Sequence, residues 1–292
     1  MKILITGANG QVGWELQRTL APLGEVMALG RDTLDLANPD AIRKALRQAA
    51  PDLIVNAAAY TAVDKAEEER ELAHAVNGIA PGVLAEEAKL LNAALVHYST
   101  DYVFDGLKGA PYEEIDAPHP LSVYGETKLA GEKTIAAVGA PHLILRTSWV
   151  YGARGKNFLR TMLRLANERD ELRVVDDQLG APTWSRMIAE ATSVILSQCL
   201  HKGAVAGVLA EKGGLYHLTA AGQTTWFGFA SEIVKQVEKP PRMTPITTAE
   251  YPLPAPRPAY SVMSNAKLAR VFGIRLPDWN TSLAHCAAEL KA

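Results

Sequence analysis

Five short β-rich runs punctuate the first half of the chain, and helical stretches separate them. The runs are KILIT (2–6), EVMAL (25–29), DLIVN (52–56), ALVHYS (94–99) and HLILRT (142–147). The stretches between them start near Gln11, Asp40, Glu69 and Tyr124, and several carry apolar residues at three-to-four spacing. That alternation argues for βαβ units, which require a parallel sheet with helices on both faces. The runs are apolar almost throughout, as strands covered on both faces must be. The expected fold is α/β: a Rossmann-type doubly wound parallel sheet over residues 1–150. A smaller, mostly C-terminal α/β domain over 151–292 is expected to bind substrate, with some segments returning to the first domain.

The turn after the first run sharpens this. TGANGQVGWEL places Gly7, Gly10 and Gly13 at three-residue spacing between a strand and an amphipathic helix. Glycines there allow a tight turn and a close backbone approach to a pyrophosphate. The helix N-terminus near Gln11 adds unpaired N–H groups and the positive end of a dipole. Such a loop alone could be a simple turn; in this context it points to a dinucleotide. The second strand ends in ALGRDTLDL, where an acidic residue would grip the ribose hydroxyls of NAD. Arg31 stands there instead, and its planar fork suits a 2′-phosphate, although Asp32 and Asp35 blur the preference. NADPH is therefore the expected cofactor, with NADH also used.

Composition removes other classes. The net charge of -2 provides no field to recruit nucleic acid or an acidic membrane. The N-terminal apolar run is too short for a signal peptide, and no stretch approaches a membrane span. Cys199 and Cys286 lie far apart and lack metal-ligand spacing, which suits a reducing cytoplasm. The seven histidines are scattered and form no ligand set, so none is expected to be catalytic.

Tyr124 precedes Lys128 by four residues in LSVYGETKLAGEK, so on a helix the two share a face. Thr100 closes the fourth run at the end where open α/β sheets collect ligands. A hydroxyl, a phenol and an ammonium could converge there on one carbonyl. Tyrosine titrates near about 10, and a neighbouring cation should bring it down toward the working range. The acidic run DKAEEERE (64–71) reads as a solvated helix start without chemistry. Residues 240–258 hold seven of the seventeen prolines. They read as an extended surface linker, as a proline-rich ligand, or as an ordered loop bringing Arg257 to the site.

Together, the glycine loop, NAAAYT (56–61), STDYVF (99–104), YGETK (124–128) and RTSWVYG (146–152) resemble the extended short-chain dehydrogenase/reductases. STDYVFDG, VYGETKLAGE, NFLRTMLRLA and DDQLGAPTW narrow the resemblance to the dTDP-4-dehydrorhamnose reductase family, from Met1 to about residue 290. The resemblance implies NAD(P)H-dependent reduction of a 4-keto-6-deoxysugar nucleotide to dTDP-L-rhamnose, a precursor of cell-surface polysaccharide. It implies Tyr124 as proton donor, Lys128 on the cofactor ribose, and Thr100 adjusting Tyr124 or gripping the sugar. Gly10, Gln11, Val12, Asp35, Leu36, Ala59, Tyr60, Thr61 and Tyr98 match cofactor contacts. Thr100, Asp101 and Trp149 match sugar contacts, and Asn157, Gln178 and Arg257 are candidates for the nucleotide and diphosphate. A sugar-nucleotide epimerase and a non-catalytic regulatory subunit share much of this pattern. The chain departs from relatives whose dimer interface holds Mg²⁺ on acidic side chains. Arg186 stands at one such position, facing Glu15 and Glu289, and a guanidinium cannot ligate the ion. No metal is expected, and the assembly expected is a monomer or a weak homodimer.

Overall fold

The computed structural model describes residues 1–202 and 204–291. The strands are β1 (Lys2–Thr6), β2 (Glu25–Leu29), β3 (Leu53–Asn56), β4 (Ala94–Thr100), β5 (His142–Thr147), β6 (Val150–Tyr151), β7 (Glu171–Val175), β8 (Leu179–Gly180), β9 (Thr183–Trp184), β10 (Gly214–His217), β11 (Thr224–Thr225) and β12 (Arg242–Ile246). The helices are α1 (Gln11–Thr19), α2 (Pro39–Ala49), α3 (Val63–Ala66), α4 (Arg70–His74), α5 (Ala80–Leu90), α6 (Val123–Val138), α7 (Phe158–Glu168), α8 (Ser185–His201), α9 (Val205–Lys212), α10 (Trp226–Val234), α11 (Ala266–Phe272) and α12 (Trp279–Lys291).

Six strands form one parallel sheet in the order β10-β5-β4-β3-β1-β2. The chain leaves β1 for β2 on one side and returns to β3 on the other. A crevice opens at that reversal, beyond the C-terminal strand ends, where doubly wound folds bind ligands. One face packs Leu16 of α1, Leu20 that caps it, and Ile188 and Ile195 of α8 against Ile3, Val55 and Val96. The other packs Ile42 and Leu46 of α2, Leu84 of α5 and Ile135 of α6 against Leu4, Ile54 and Leu95. Both faces are covered, which is why the strands read as unbroken apolar runs.

A separate core lies past residue 150, where Tyr151, Leu159, Trp184, Phe229 and Leu283 pack together. Its strands are paired in twos: β7 with β12, β8 with β11, and β6 with β9. β10, by contrast, completes the main sheet. The proline-rich segment is an ordered loop rather than a slack linker. Arg242–Ile246 pairs in parallel with β7, and Pro245 is tolerated because a two-stranded sheet leaves its missing N–H at an edge. Thr247 and Glu250 then form a reciprocal capping box. Among the described residues, no single helix is long and apolar enough to cross a membrane. Cys199 and Cys286 are both buried thiols.

Candidate active site

The glycine loop has no room for side chains. Gly7 adopts φ +73°, and a Cβ there would lie 2.6 Å from the Ala58 nitrogen. A Cβ on Gly13 would lie 2.1 Å from the Gly7 carbonyl oxygen, so Gly13 lets α1 start against the turn. Gly10 caps α1 without a side-chain bond. The first N–H groups of α1 therefore face the crevice as donors, a cradle that fits a pyrophosphate. Gln11 reaches the Val150 carbonyl at 3.3 Å, tying the loop to the start of the second core. Arg31 and Asp35 are exposed beyond β2, while Leu36 is buried beneath them. Ala59 and Tyr60 line the next turn, partly buried, with Thr61 exposed at its end. The Tyr60 backbone N–H donates to Asn77 Oδ1 at 2.8 Å, and its hydroxyl donates to Glu69.

Two devices start α6: the Ser122 hydroxyl accepts from Gly125 N–H at 3.3 Å, and Glu67 Oε1 accepts from Val123 N–H at 2.9 Å. Tyr124 and Lys128 follow on its first turns. Lys128 is 2 % exposed, and its Nζ donates to the Tyr98 carbonyl at 2.7 Å. Burial lowers it to about 8, against the opposing charge of Glu132. Burial pushes Tyr124 up to about 12; Thr100 beside it acts in the other direction, and Asp101 reinforces the rise. The sequence led us to expect a phenol lowered by Lys128. The side chains of this site do the reverse, because the ammonium is drawn to Tyr98 and burial dominates.

Thr100 ends β4 in register with Thr147, donates to Asp101 Oδ1 at 3.1 Å and accepts from Tyr102 N–H at 3.2 Å. Asp101 is 2 % exposed and burial raises it to about 6. Tyr102 meets the Tyr124 ring edge-on at 5.5 Å and also lines an adjoining cleft of about 760 Å³. Gln178, Trp226, Thr248 and Arg257 line that cleft too. Trp149 holds a left-handed φ of 46°, and its indole stacks on Trp226 with centroids 3.6 Å apart and planes 7° apart. A Cβ on Gly180 would strike the Trp149 ring. A strained, over-determined aromatic at a cleft is a common mark of a working surface.

The remaining candidates are placed as follows. Gln178 is held from both ends: it accepts from Trp226 Nε1 at 3.2 Å and donates to Thr248 Oγ1 at 3.0 Å. Arg257 forms a two-pronged pair with Asp64, at 2.6 and 2.8 Å. Asn157 sits apart from the cleft wall, capping α7 and donating to Gln11 Oε1 at 2.9 Å. The Tyr98 phenol turns away to Thr192 at 2.8 Å, so at the site it offers its carbonyl. The acidic run also needs correction. It is not an idle solvated face: Asp64 holds Arg257, Glu67 caps α6 and Glu69 takes the Tyr60 hydroxyl. Tyr102, Trp226, Asp64 and His97, which lies 3.3 Å from Lys128 Nζ, went unsingled in the sequence. Their roles come from partners far along the chain, and only STDYVF hinted at Tyr102.

Sheet order, glycine cradle and the helix bearing Tyr124 and Lys128 define a Rossmann protein of the extended short-chain dehydrogenase/reductase type. The family model described as the RmlD substrate binding domain matches residues 1–292. A dTDP-4-dehydrorhamnose reductase of Burkholderia thailandensis is 52% identical over 298 residues, covering 99% of each chain. The crystal structure of a dTDP-4-dehydrorhamnose reductase from Clostridium acetobutylicum superposes with a TM-score of 0.92 at 40% identity, covering 100% of both chains. That of the Bacillus anthracis reductase in complex with NADP gives 0.89 at 35% identity, covering 99% of both. The chain belongs to the dTDP-4-dehydrorhamnose reductase family.

Proposed function

We propose that this chain reduces the 4-keto group of dTDP-4-dehydro-6-deoxy-L-mannose to dTDP-L-rhamnose for cell-surface polysaccharide. NADPH is the preferred donor and NADH a usable one. The observation that carries the reading is the convergence of Thr100, Tyr124 and buried Lys128 at the C-terminal end of β4, between the glycine cradle and the cleft. The Bacillus anthracis relative with NADP, together with the fit of the cradle, supports the cofactor.

In this reading Gly7, Gly10, Gln11, Val12 and Gly13 hold the pyrophosphate, and Arg31 meets the 2′-phosphate. Asp35, Leu36, Ala59, Tyr60 and Thr61 border the nucleoside, and Lys128 holds the nicotinamide ribose. Bound NADPH supplies a hydride to the carbonyl carbon. Tyr124 gives its phenolic proton to the C4 oxygen, so the ketone becomes an alcohol. A phenol held near 12 is protonated throughout the neutral range, the form a proton donor must have. Thr100 and Asp101 orient the sugar, and the Trp149 indole offers a flat face to its methyl and C–H edge. Gln178 and Arg257 serve the nucleotide diphosphate from the cleft wall, while Asn157 acts on Gln11 from behind. Residues 1–150 then form the cofactor half and 151–292 mainly the substrate half, with β10, α8, α9 and α11 returning to the sheet.

Purified protein mixed with NADPH and the 4-keto sugar nucleotide should oxidise one NADPH per sugar reduced, with dTDP-L-rhamnose identified by NMR. Interconversion of sugar nucleotides without net loss of NADPH would identify an epimerase instead.

A further inference from the structure

Behind Lys128 runs a line of buried polar side chains that ketone reduction does not by itself require. Thr6, Asn56 and His97 occupy neighbouring register positions on β1, β3 and β4, and each is 1 % exposed. Thr6 Oγ1 donates to Asn56 Oδ1 at 2.6 Å, and the same oxygen accepts from Ala58 N–H at 3.3 Å. Asn56 Nδ2 lies 2.9 Å from His97 Nδ1, and His97 Nε2 lies 3.3 Å from Lys128 Nζ.

These contacts fix the protons. A backbone N–H can only donate, so Ala58 holds the Asn56 oxygen on its own side; turning the amide over would set two donors face to face. Asn56 therefore donates to His97 Nδ1. Burial, then the charge of Lys128, keeps His97 well below its usual range, so the ring is neutral and carries one proton. With Nδ1 accepting, that proton is on Nε2 and points at Lys128. An ammonium at Nζ meets it donor to donor, whereas a neutral amine accepts it with its lone pair. The other titratable groups near the pair are Tyr124 and Glu132 on α6 and Arg146 on β5. Glu132 is engaged by Arg146 through two bonds, at 2.8 and 2.6 Å, which restrains its pull on Lys128. From β1 and β3 the pair meets neutral Thr6 and Asn56.

We propose that Asn56 and His97 are positioning residues, a tautomer lock that sets the charge of Lys128, and so the charge near Tyr124, from inside the sheet. This rests on the reading of Tyr124 and Lys128 given above. The sign is definite. Lys128 is lowered to about 8, so its ammonium is present below that pH and lost as pH rises through it. In the reductase, kcat/KM should fall along the same limb.

Asn56→Asp keeps an oxygen for Thr6 and Ala58 but turns the donor facing His97 into an acceptor. The imidazole proton then moves to Nδ1, and Nε2 becomes an acceptor for the ammonium. We expect the Lys128 titration, followed by side-chain NMR and assigned by its loss in Lys128→Met, to rise by at least about one pH unit, ten-fold in proton affinity. The alkaline limb of kcat/KM should move with it. Because the new carboxylate also raises Lys128 by its charge alone, the variant's nitrogen spectrum must show the His97 proton on Nδ1, and a proton still on Nε2 overturns the lock. An unchanged titration in the folded variant overturns the proposal. So does a nitrogen spectrum of the wild-type protein showing His97 protonated on Nδ1, a measurement needing no variant. Neither spectrum uses turnover, so this lock and the assignment of Tyr124 as acid can fail separately.

Discussion

In the main sheet, β1, β3, β4 and β5, of four to seven residues, are held by neighbours on both sides, and nearly all their side chains are buried. Past residue 150, four of the strands are two residues long, and the wall they form depends on single contacts: an indole stack, one glutamine held at both ends, one arginine clamped by Asp64. The difference teaches where chemistry and recognition are stored. The proposed proton donor, Tyr124, sits on α6, which lies on the sheet with Lys128 sealed beneath. A wall that admits a large substrate can be assembled from contacts that break one at a time.

The sharpest way to break the comparison is at the donor. Tyr124→Phe deletes one hydroxyl from a helix whose caps and packing do not use it. Turnover should fall about 10²–10⁴-fold, the usual cost of losing a general acid. NADPH binding, measured by fluorescence titration, should be kept. A variant retaining more than half the wild-type rate, with chemistry shown to be the slow step, removes Tyr124 from that role.

Asp64→Ala tests the other side. Arg257 would lose a two-pronged charge-assisted pair, and the loop after Tyr251 would lose its tie to α3. Losing one such contact corresponds to about ten-fold. KM for the sugar nucleotide should therefore rise about ten-fold with kcat little changed, the signature of uniform binding lost. An equal fall in kcat would mean the clamp reaches the chemistry.

The same division explains what could be read in the sequence. β1 and β5 coincide with apolar runs, and β3 and β4 differ by one residue, because two-sided burial writes itself into consecutive positions. β2 coincides too, although this edge strand is only partly buried. Gly7 and Gly13 were legible because only glycine fits beside the Ala57–Ala58 backbone and the Gly7 carbonyl. β10 was not legible: Gly214–His217 is four residues long and makes sense only beside β5. The acidic run and the proline-rich loop were misjudged together, since Asp64 and Arg257 are 193 positions apart and neither shows its partner. His97 looked like one scattered histidine because its meaning lies in Asn56 and Lys128.

Asp101 lies at the boundary between the regions, and its buried carboxyl is raised to about 6 from 3.8. A folded-state value above the unfolded one means the protonated form is favoured on folding. The stability it gives is fully present below about pH 3.8 and is lost as pH rises through 6. Asp101→Asn should therefore stabilise the protein above pH 6, on the order of 1–3 kcal/mol, and much less at pH 4. Thermal melts at the two pH values check this; equal shifts at both would assign the effect to packing.

Arg31 offers a smaller test on the cofactor side. It is exposed, and Asp32 beside it is exposed too, so a phosphate contact there is worth at most about 1 kcal/mol. Arg31→Ala should weaken NADPH binding up to about five-fold and NADH binding hardly at all. Equal losses for both nucleotides would take Arg31 off the 2′-phosphate.

The smallest expected effect is none, and it concerns chelation. Arg186, near the start of α8, lies between two carboxylates: its Nε is 3.5 Å from Glu15 Oε2, and its NH1 group pairs with Glu289. Glu15 is 5 % exposed, so its charge needs a partner inside the protein, and the guanidinium is that partner. A divalent cation drawn there would have to displace Arg186 or bind beside a positive charge, and Mg²⁺ demands several oxygen ligands in near-octahedral order. The groups proposed to deliver the proton, Tyr124 with Thr100 and Lys128, make no contact with Glu15 or Glu289. EDTA should therefore leave both the reduction rate and the sedimentation coefficient unchanged, with or without added Mg²⁺. A chelator-induced drop in sedimentation accompanied by loss of activity would show that Arg186 does not fill the role of the ion. The groove beside α1 that Trp14, Glu15, Arg186 and Glu289 line would then join the working half of the molecule.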